Sequence, residues 1–65
     1  MKRCTREITK DIYDRAQDHN GFIIGDDMSQ VFSEAELIGY GVYSPIVCEK
    51  DDRYYVNFEL GDSCD

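Results

Sequence analysis

The chain has 65 residues, with 14 Asp plus Glu against 7 Lys plus Arg, a formal net charge of −7 and a pI near 4.4. That length allows one domain with a small core, burying about 60% of the surface its unfolded form exposes. An apolar content of 42%, with five tyrosines and three phenylalanines, excludes a disordered acidic tail. The charge is split along the chain. Residues 1–15 hold five bases against three acids, and residues 16–65 hold two bases against eleven acids. A field of that sign repels nucleic acid and attracts basic surfaces.

In chain order, residues 5–19 read as a helix. Thr5 serves as N-cap, Glu7 complements the positive end of the dipole, and Ile8, Ile12 and Ala16 form an apolar stripe that Tyr13 widens. His19 falls in the last turn, and Asn20-Gly21 supplies a left-handed stop. Phe22–Ile24 is an apolar run, a candidate short third strand, broken by Gly25. Residues 27–38 read as a second helix, with Asp27 as N-cap and Met28, Val31, Phe32, Ala35 and Ile38 on one stripe. The rival signal is Ser33-Glu34-Ala35-Glu36, a capping box that starts a shorter helix at 34 and leaves 30–32 extended. The longer helix is preferred because the apolar period runs through Ser33, and Gly39 is its stop.

From Gly39 the period changes to two. Residues 40–60 read as a hairpin turning at Asp51-Asp52, in which Val47 faces Val56, Cys48 faces Tyr55 and Glu49 faces Tyr54. Tyr54, Val56, Phe58 and Leu60 share one face with Val47 and Tyr43. Tyr55, Asn57 and Glu59 point the other way with Cys48 and Ile46. Pro45 makes the first strand an edge strand or breaks it. Residues 61–65 form an acidic tail. The expected architecture is α+β in a single domain, 1–65, with two helices packed on a small antiparallel sheet in the order α-α-β-β.

No catalytic signature emerges. Cys4, Cys48 and Cys64 lack C-x-x-C spacing, and no tight turn brings two of them together with His19 as a zinc site needs. Their expected state is the free thiol of a reducing cytosol, with a Cys48–Cys64 disulfide as the product of air oxidation. The opening MKRCTREITKD has no apolar run behind it and is not read as a signal peptide, and no stretch approaches the roughly 20 apolar residues of a membrane span. Asp26-Asp27 and Asp51-Asp52 lie outside an EF-hand frame and read as helix cap and hairpin turn. Gly39-Tyr40-Gly41 has no Lys or Arg within eight residues and is not a phosphate loop. The hairpin tyrosines are flanked by acids, which disfavours a nucleic-acid stacking platform. No cofactor, metal or enzymatic activity is expected.

The remaining feature is the acidic surface. Asp26, Asp27, Glu34, Glu36, Glu49, Asp51, Asp52 and Glu59 are the candidate contacts to a basic partner, with Tyr55 as an aromatic anchor. The alternative is a small homodimeric regulator or adaptor that uses Lys2, Arg3, Arg6, Lys10 and Arg15 of a basic first helix.

The segment GYGVYSPIVCEKDDRYYVNFELGDSCD and the opening EITKDIYDRAQ-x-x-NG resemble small acidic proteins carried by phages and integrative elements of Firmicutes. In those proteins the hairpin reads GYGVY, a charged turn and YYV before a Ser-Cys-Asp tail. The resemblance carries over no functional residue. It implies a context, the bacterial cytoplasm, in which small acidic proteins disarm host defence as anti-CRISPR and antirestriction proteins do. The expected function is a non-enzymatic interaction module of DNA-mimic type, docking on a basic protein surface such as that of a nuclease or CRISPR effector.

Overall fold

The computed structural model describes residues 2–61. Its elements are β1 (Lys2–Ile8), α1 (Lys10–Gln17), α2 (Asp26–Val31), a π-helix (Ala35–Tyr40), β2 (Val42–Lys50) and β3 (Arg53–Leu60). The three strands form one antiparallel sheet in the order β1-β3-β2. The class is α+β, with helices and a C-terminal hairpin as expected, but the first element is a strand. Among the described residues no helix is long and apolar enough to cross a membrane.

The helix expected at 5–19 is therefore shorter and starts later. Residues 2–8 pair in unbroken register with β3, from Lys2 opposite Leu60 to Ile8 opposite Tyr54. An isolated hairpin is marginal in water, and this third strand flanks the fully buried Val56 on its second side. The N-cap is Thr9, not Thr5. The Thr9 hydroxyl accepts from the Ile12 N–H at 3.3 Å, and Thr5 instead donates to Asn57 Oδ1 across the sheet at 2.7 Å. Ile12 and Ala16 bury the face of α1 that meets the sheet.

The helix ends at Gln17, so His19 lies beyond its last turn. Asn20 and Gly21 take left-handed φ values of 59° and 86°, and the Gly21 N–H closes on the Ala16 carbonyl at 2.8 Å. Phe22–Ile24 is not a strand. It contributes one bridge, Phe22 to Ile46, flanked by bonds from Ile23 N–H to the Pro45 carbonyl and from Val47 N–H to the Gly21 carbonyl. This segment covers the outer edge of β2 and drops Ile23 into the core at 3% exposure.

The second helix, expected over 27–38, breaks at Phe32, whose backbone is extended at φ −117° and ψ 142°. The rival capping box forms, but of the residues that reading left extended only Phe32 is so, since Gln30 and Val31 stay in α2. Ser33 N–H donates to Glu36 Oε1 at 2.9 Å, and Glu36 N–H donates to the Ser33 hydroxyl at 3.2 Å. The apolar period misleads because Phe32 is buried in either backbone, whereas Ala35 and Ile38 are exposed. Asp27 is not the N-cap either; Gly25 holds that position, with no side-chain hydrogen bond. Gly39 lies inside the π-helix, and the stop is Gly41 at φ 82°, whose N–H reaches back five residues to the Glu36 carbonyl at 2.7 Å.

The hairpin keeps its expected register from Ile46 opposite Asn57 to Lys50 opposite Arg53. Beyond Ile46 it shifts, because Ser44, at φ 52°, and Pro45 together oppose Phe58. Tyr43 therefore pairs with Glu59 and shares the face of Ile46 and Cys48, not the helix-facing side expected for it. The core consists of Ile8, Ile12, Ala16, Ile23, Phe32, Val47, Val56 and Phe58, all between the sheet and the helical layer. The Phe32 and Phe58 rings meet edge to face at 4.8 Å. Of the acidic tail, residues 62–65 lie outside the described residues, as does Cys64 of the expected oxidation product; among the described residues Cys4 and Cys48 are free thiols.

Asp51 and Asp52 both adopt left-handed φ values, 54° and 64°, the type I′ geometry that Asn-Gly satisfies with least strain. Replacing Asp51-Asp52 by Asn-Gly is expected to stabilise the fold by about 1 kcal/mol. In a chain this small, that raises the thermal midpoint by roughly 4–8 °C, measured by circular dichroism melting.

Candidate interaction surface

Two of the candidate acids are consumed inside the fold. Arg6 stands on the helix-facing side of β1, opposite Val56. Its Nη1 and Nη2 donate to Glu36 Oε1 and Oε2 at 2.9 and 2.7 Å, and Nη1 also donates to the Val31 carbonyl at the end of α2 at 2.8 Å. The guanidinium carbon lies 5.6 Å from the centroid of the Phe32 ring and 5.2 Å from that of Phe58. Glu36 is the acceptor of both the arginine fork and the Ser33 N–H. The Arg6 hydrogen bonds, then the Ser33 N–H, hold its carboxyl down at about 2, and the same pairing raises the Arg6 guanidinium.

Asp27 is spent in the same way. Arg15 of α1 donates from Nε and Nη2 to its carboxylate at 2.8–3.2 Å, which ties α1 to the first turn of α2. Those hydrogen bonds lower the Asp27 carboxyl and raise Arg15.

The other candidates do not gather in one patch. Asp26 and Glu34 are exposed in the helical layer. Glu49, Asp51 and Asp52 are exposed at the hairpin tip, where Tyr54 packs on Tyr13 of α1 at 4.7 Å between ring centroids. Tyr55 and Glu59 are half-buried on the opposite face of the sheet, which no helix among the described residues covers.

The basic first helix dissolves as a unit. Lys2, Arg3 and Arg6 belong to β1, and the two bases of α1 both meet acids, Arg15 at Asp27 and Lys10 at Asp14, the latter 3.7 Å away and exposed. What sequence reasoning missed is an acidic stripe on α1. Asp11, Asp14 and Asp18 fall at i, i+3 and i+7, all exposed and roughly opposite the buried Ile12 and Ala16. Their spacing is legible in the sequence, but the bases among them masked it.

The uncovered sheet face has a different character. In register across it run Arg3, Glu59 and Tyr43; then Thr5, Asn57 and Ile46; then Glu7, Tyr55 and Cys48. Asn57 accepts from the Thr5 hydroxyl and donates to the Cys48 sulfur at 3.5 Å. Among the described residues no group of three His, Cys, Asp or Glu side chains is placed to hold a metal. Compared with protein-family models, curated proteins and solved structures, the chain matches none of them.

The Glu36 carboxyl sits below its unfolded value of 4.5. Its contribution to stability is therefore complete above that pH and is lost as the pH falls towards about 2. Because the Arg6 side chain is 38% exposed, the contribution is discounted to about 1–2 kcal/mol. Urea titrations should show Glu36→Gln destabilised by that amount at neutral pH, with the gap to wild type closing between about pH 4 and pH 2.

Proposed function

We propose that this chain is a non-enzymatic acidic interaction module that docks its helical layer and hairpin tip onto a basic protein surface. The observation that carries the reading is the α1 stripe of Asp11, Asp14 and Asp18, exposed along the side of the helix away from the core. Asp26 and Glu34 are further exposed carboxylates of the helical layer, and Glu49, Asp51 and Asp52 are exposed at the tip. Arg6 and Arg15 are bonded to Glu36 and Asp27, and Lys10, 3.7 Å from Asp14, offsets one carboxylate of the stripe, so acid stays in excess along it. Carboxylates repeating every three or four helical residues are about 4.5–6 Å apart along the axis. Phosphates along one DNA strand rise by about 3.4 Å, a spacing of the same order. The partner of matching chemistry is a nucleic-acid-binding groove, as in a nuclease or CRISPR effector. The setting consistent with the resemblance is a phage or mobile-element inhibitor acting in the cytoplasm of its bacterial host.

Relative to the sequence-based set, the contact list gains Asp11, Asp14 and Asp18. It gives up Asp27 and Glu36, which are paired, and Tyr55 and Glu59, which face the other way. Immobilised protein should capture a partner from host lysate, and the identified partner should be retained less at 0.5 M than at about 0.1 M salt. Reversing Asp11, Asp14 and Asp18 to Lys should weaken its capture at least tenfold with the melting profile retained, and replacing Asp51-Asp52 by Asn-Gly, which removes two charges and keeps the left-handed turn, should weaken it as well. Capture that is indifferent to both salt and charge reversal overturns the reading.

A further inference from the structure

The uncovered sheet face has a symmetry that the helical layer lacks. On β1, Arg3 and Glu7 stand on either side of Thr5. On β3, Glu59 and Tyr55 stand on either side of Asn57, which is in register with Thr5. Ile46 completes that row on β2. A twofold axis lying over the row Thr5–Asn57–Ile46, in the plane between two such faces, sets each β1 on its own copy in the opposite direction. It brings Arg3 to the partner's Glu7, Glu59 to the partner's Tyr55 hydroxyl, and Ile46 to its own counterpart. We propose that this face is a self-complementary dimer interface whose occupant is a second copy of the same chain.

Three further observations favour a second copy. First, the face is close to neutral in a chain of net charge −7. Its charged residues are Arg3, Lys50 and Arg53 against Glu7 and Glu59. Two acidic molecules repel through their helical layers, and this face is the approach that opposes them least. Second, the polar centre is already satisfied within the chain: Thr5 bonds Asn57 at 2.7 Å and Asn57 bonds Cys48 at 3.5 Å. Excluding water from that row leaves fewer unmade hydrogen bonds than drying an unpaired amide would. Third, the β2 side supplies apolar area. Tyr43 and Ile46 are 49% and 43% exposed, with Phe22, 41% exposed, bridged to Ile46 at the edge.

Three strands of about eight residues present a face of roughly 15 by 25 Å. That is about 375 Å² a side, below the roughly 800 Å² per partner of stable interfaces and in the range of weak, transient ones, so the dimer should dissociate on dilution. The inference does not rest on the acidic docking surface, which lies on the other side of the sheet.

Sedimentation equilibrium of the full chain over a wide concentration range should show a reversible monomer–dimer equilibrium. Ile46→Asp should abolish it. Arg3→Glu and Glu7→Arg should each weaken it at least tenfold, and the double variant Arg3→Glu/Glu7→Arg should restore it to within a few-fold of wild type. Thermal melts of the same proteins confirm that each remains folded; should Ile46→Asp fail that check, Ile46→Lys replaces it. A wild type that stays monomeric into the millimolar range overturns the inference. So does a dimer that survives the Ile46 change, or a double variant as weak as its parents. None of these results bears on partner capture by the helical layer, so the two readings fail separately.

Discussion

Arg6 is the residue on which the rest of the fold depends. Its position on β1 carries a cation to the inner face of the sheet, where an apolar side chain would ordinarily stand. There it finds two aromatic rings, the end of α2 and the Glu36 carboxylate. A guanidinium is the side chain that can meet all of these together, through a planar fork and a stacking face. The Val31 carbonyl that it binds is one of the acceptors left over at a helix C-terminus. Ending α2 there releases Phe32 into an extended backbone that lays its ring against Phe58. Ser33 and Glu36 then open the next helical turn, and Glu36 serves both its capping box and the arginine. One ion pair thus couples the first strand, the break between the helices and the aromatic centre of the core.

The same interaction explains which parts of the fold were legible in the sequence. The hairpin was readable because alternation and the Asp51-Asp52 turn act locally, and its register held from Ile46 to Lys50. The first strand was hidden because its inward residues are Lys2, Cys4, Arg6 and Ile8, which present no apolar alternation until the partners of Arg6 are known. Ile8 at the strand end and Ile12 in the helix still align at a helical period, although they reach the core from different elements. The break at Phe32 was written in the capping box, but an apolar stripe running through it was the louder signal. The exposure of Ile38, at 77%, marks how far that stripe departs from the packing achieved. The bulge at Ser44 and Pro45 had a visible cause in the proline, yet its consequence, the transfer of Tyr43 to the other face, depends on where the extra residue is absorbed.

Of the candidate site, the individual carboxylates were legible but their fates were not. Asp27 and Glu36 look like Asp26 and Glu34 in sequence. They differ because arginines from α1 and β1 arrive beside them, Arg15 from twelve positions earlier and Arg6 from thirty. Pairing at that separation is a property of the topology. It also removes the apparent opposition between a basic N-terminal segment and an acidic remainder, since two bases of the first segment are bound to two acids of the second.

The polarity that survives folding is one of faces rather than of chain halves. The helical layer keeps Asp11, Asp14, Asp18, Asp26 and Glu34 exposed, with Arg6 and Arg15 bonded to Glu36 and Asp27 and Lys10 beside Asp14. The far side of the sheet keeps Arg3, Lys50 and Arg53 alongside its two glutamates. Strand alternation sorts the bases of β1, with Arg6 turned inward and Arg3 outward. A helix in place of β1 would separate neither the bases nor the two surfaces so cleanly, because three residues of a helical turn span most of its circumference. The strand at the start of the chain is therefore what gives so small a domain two surfaces of different charge.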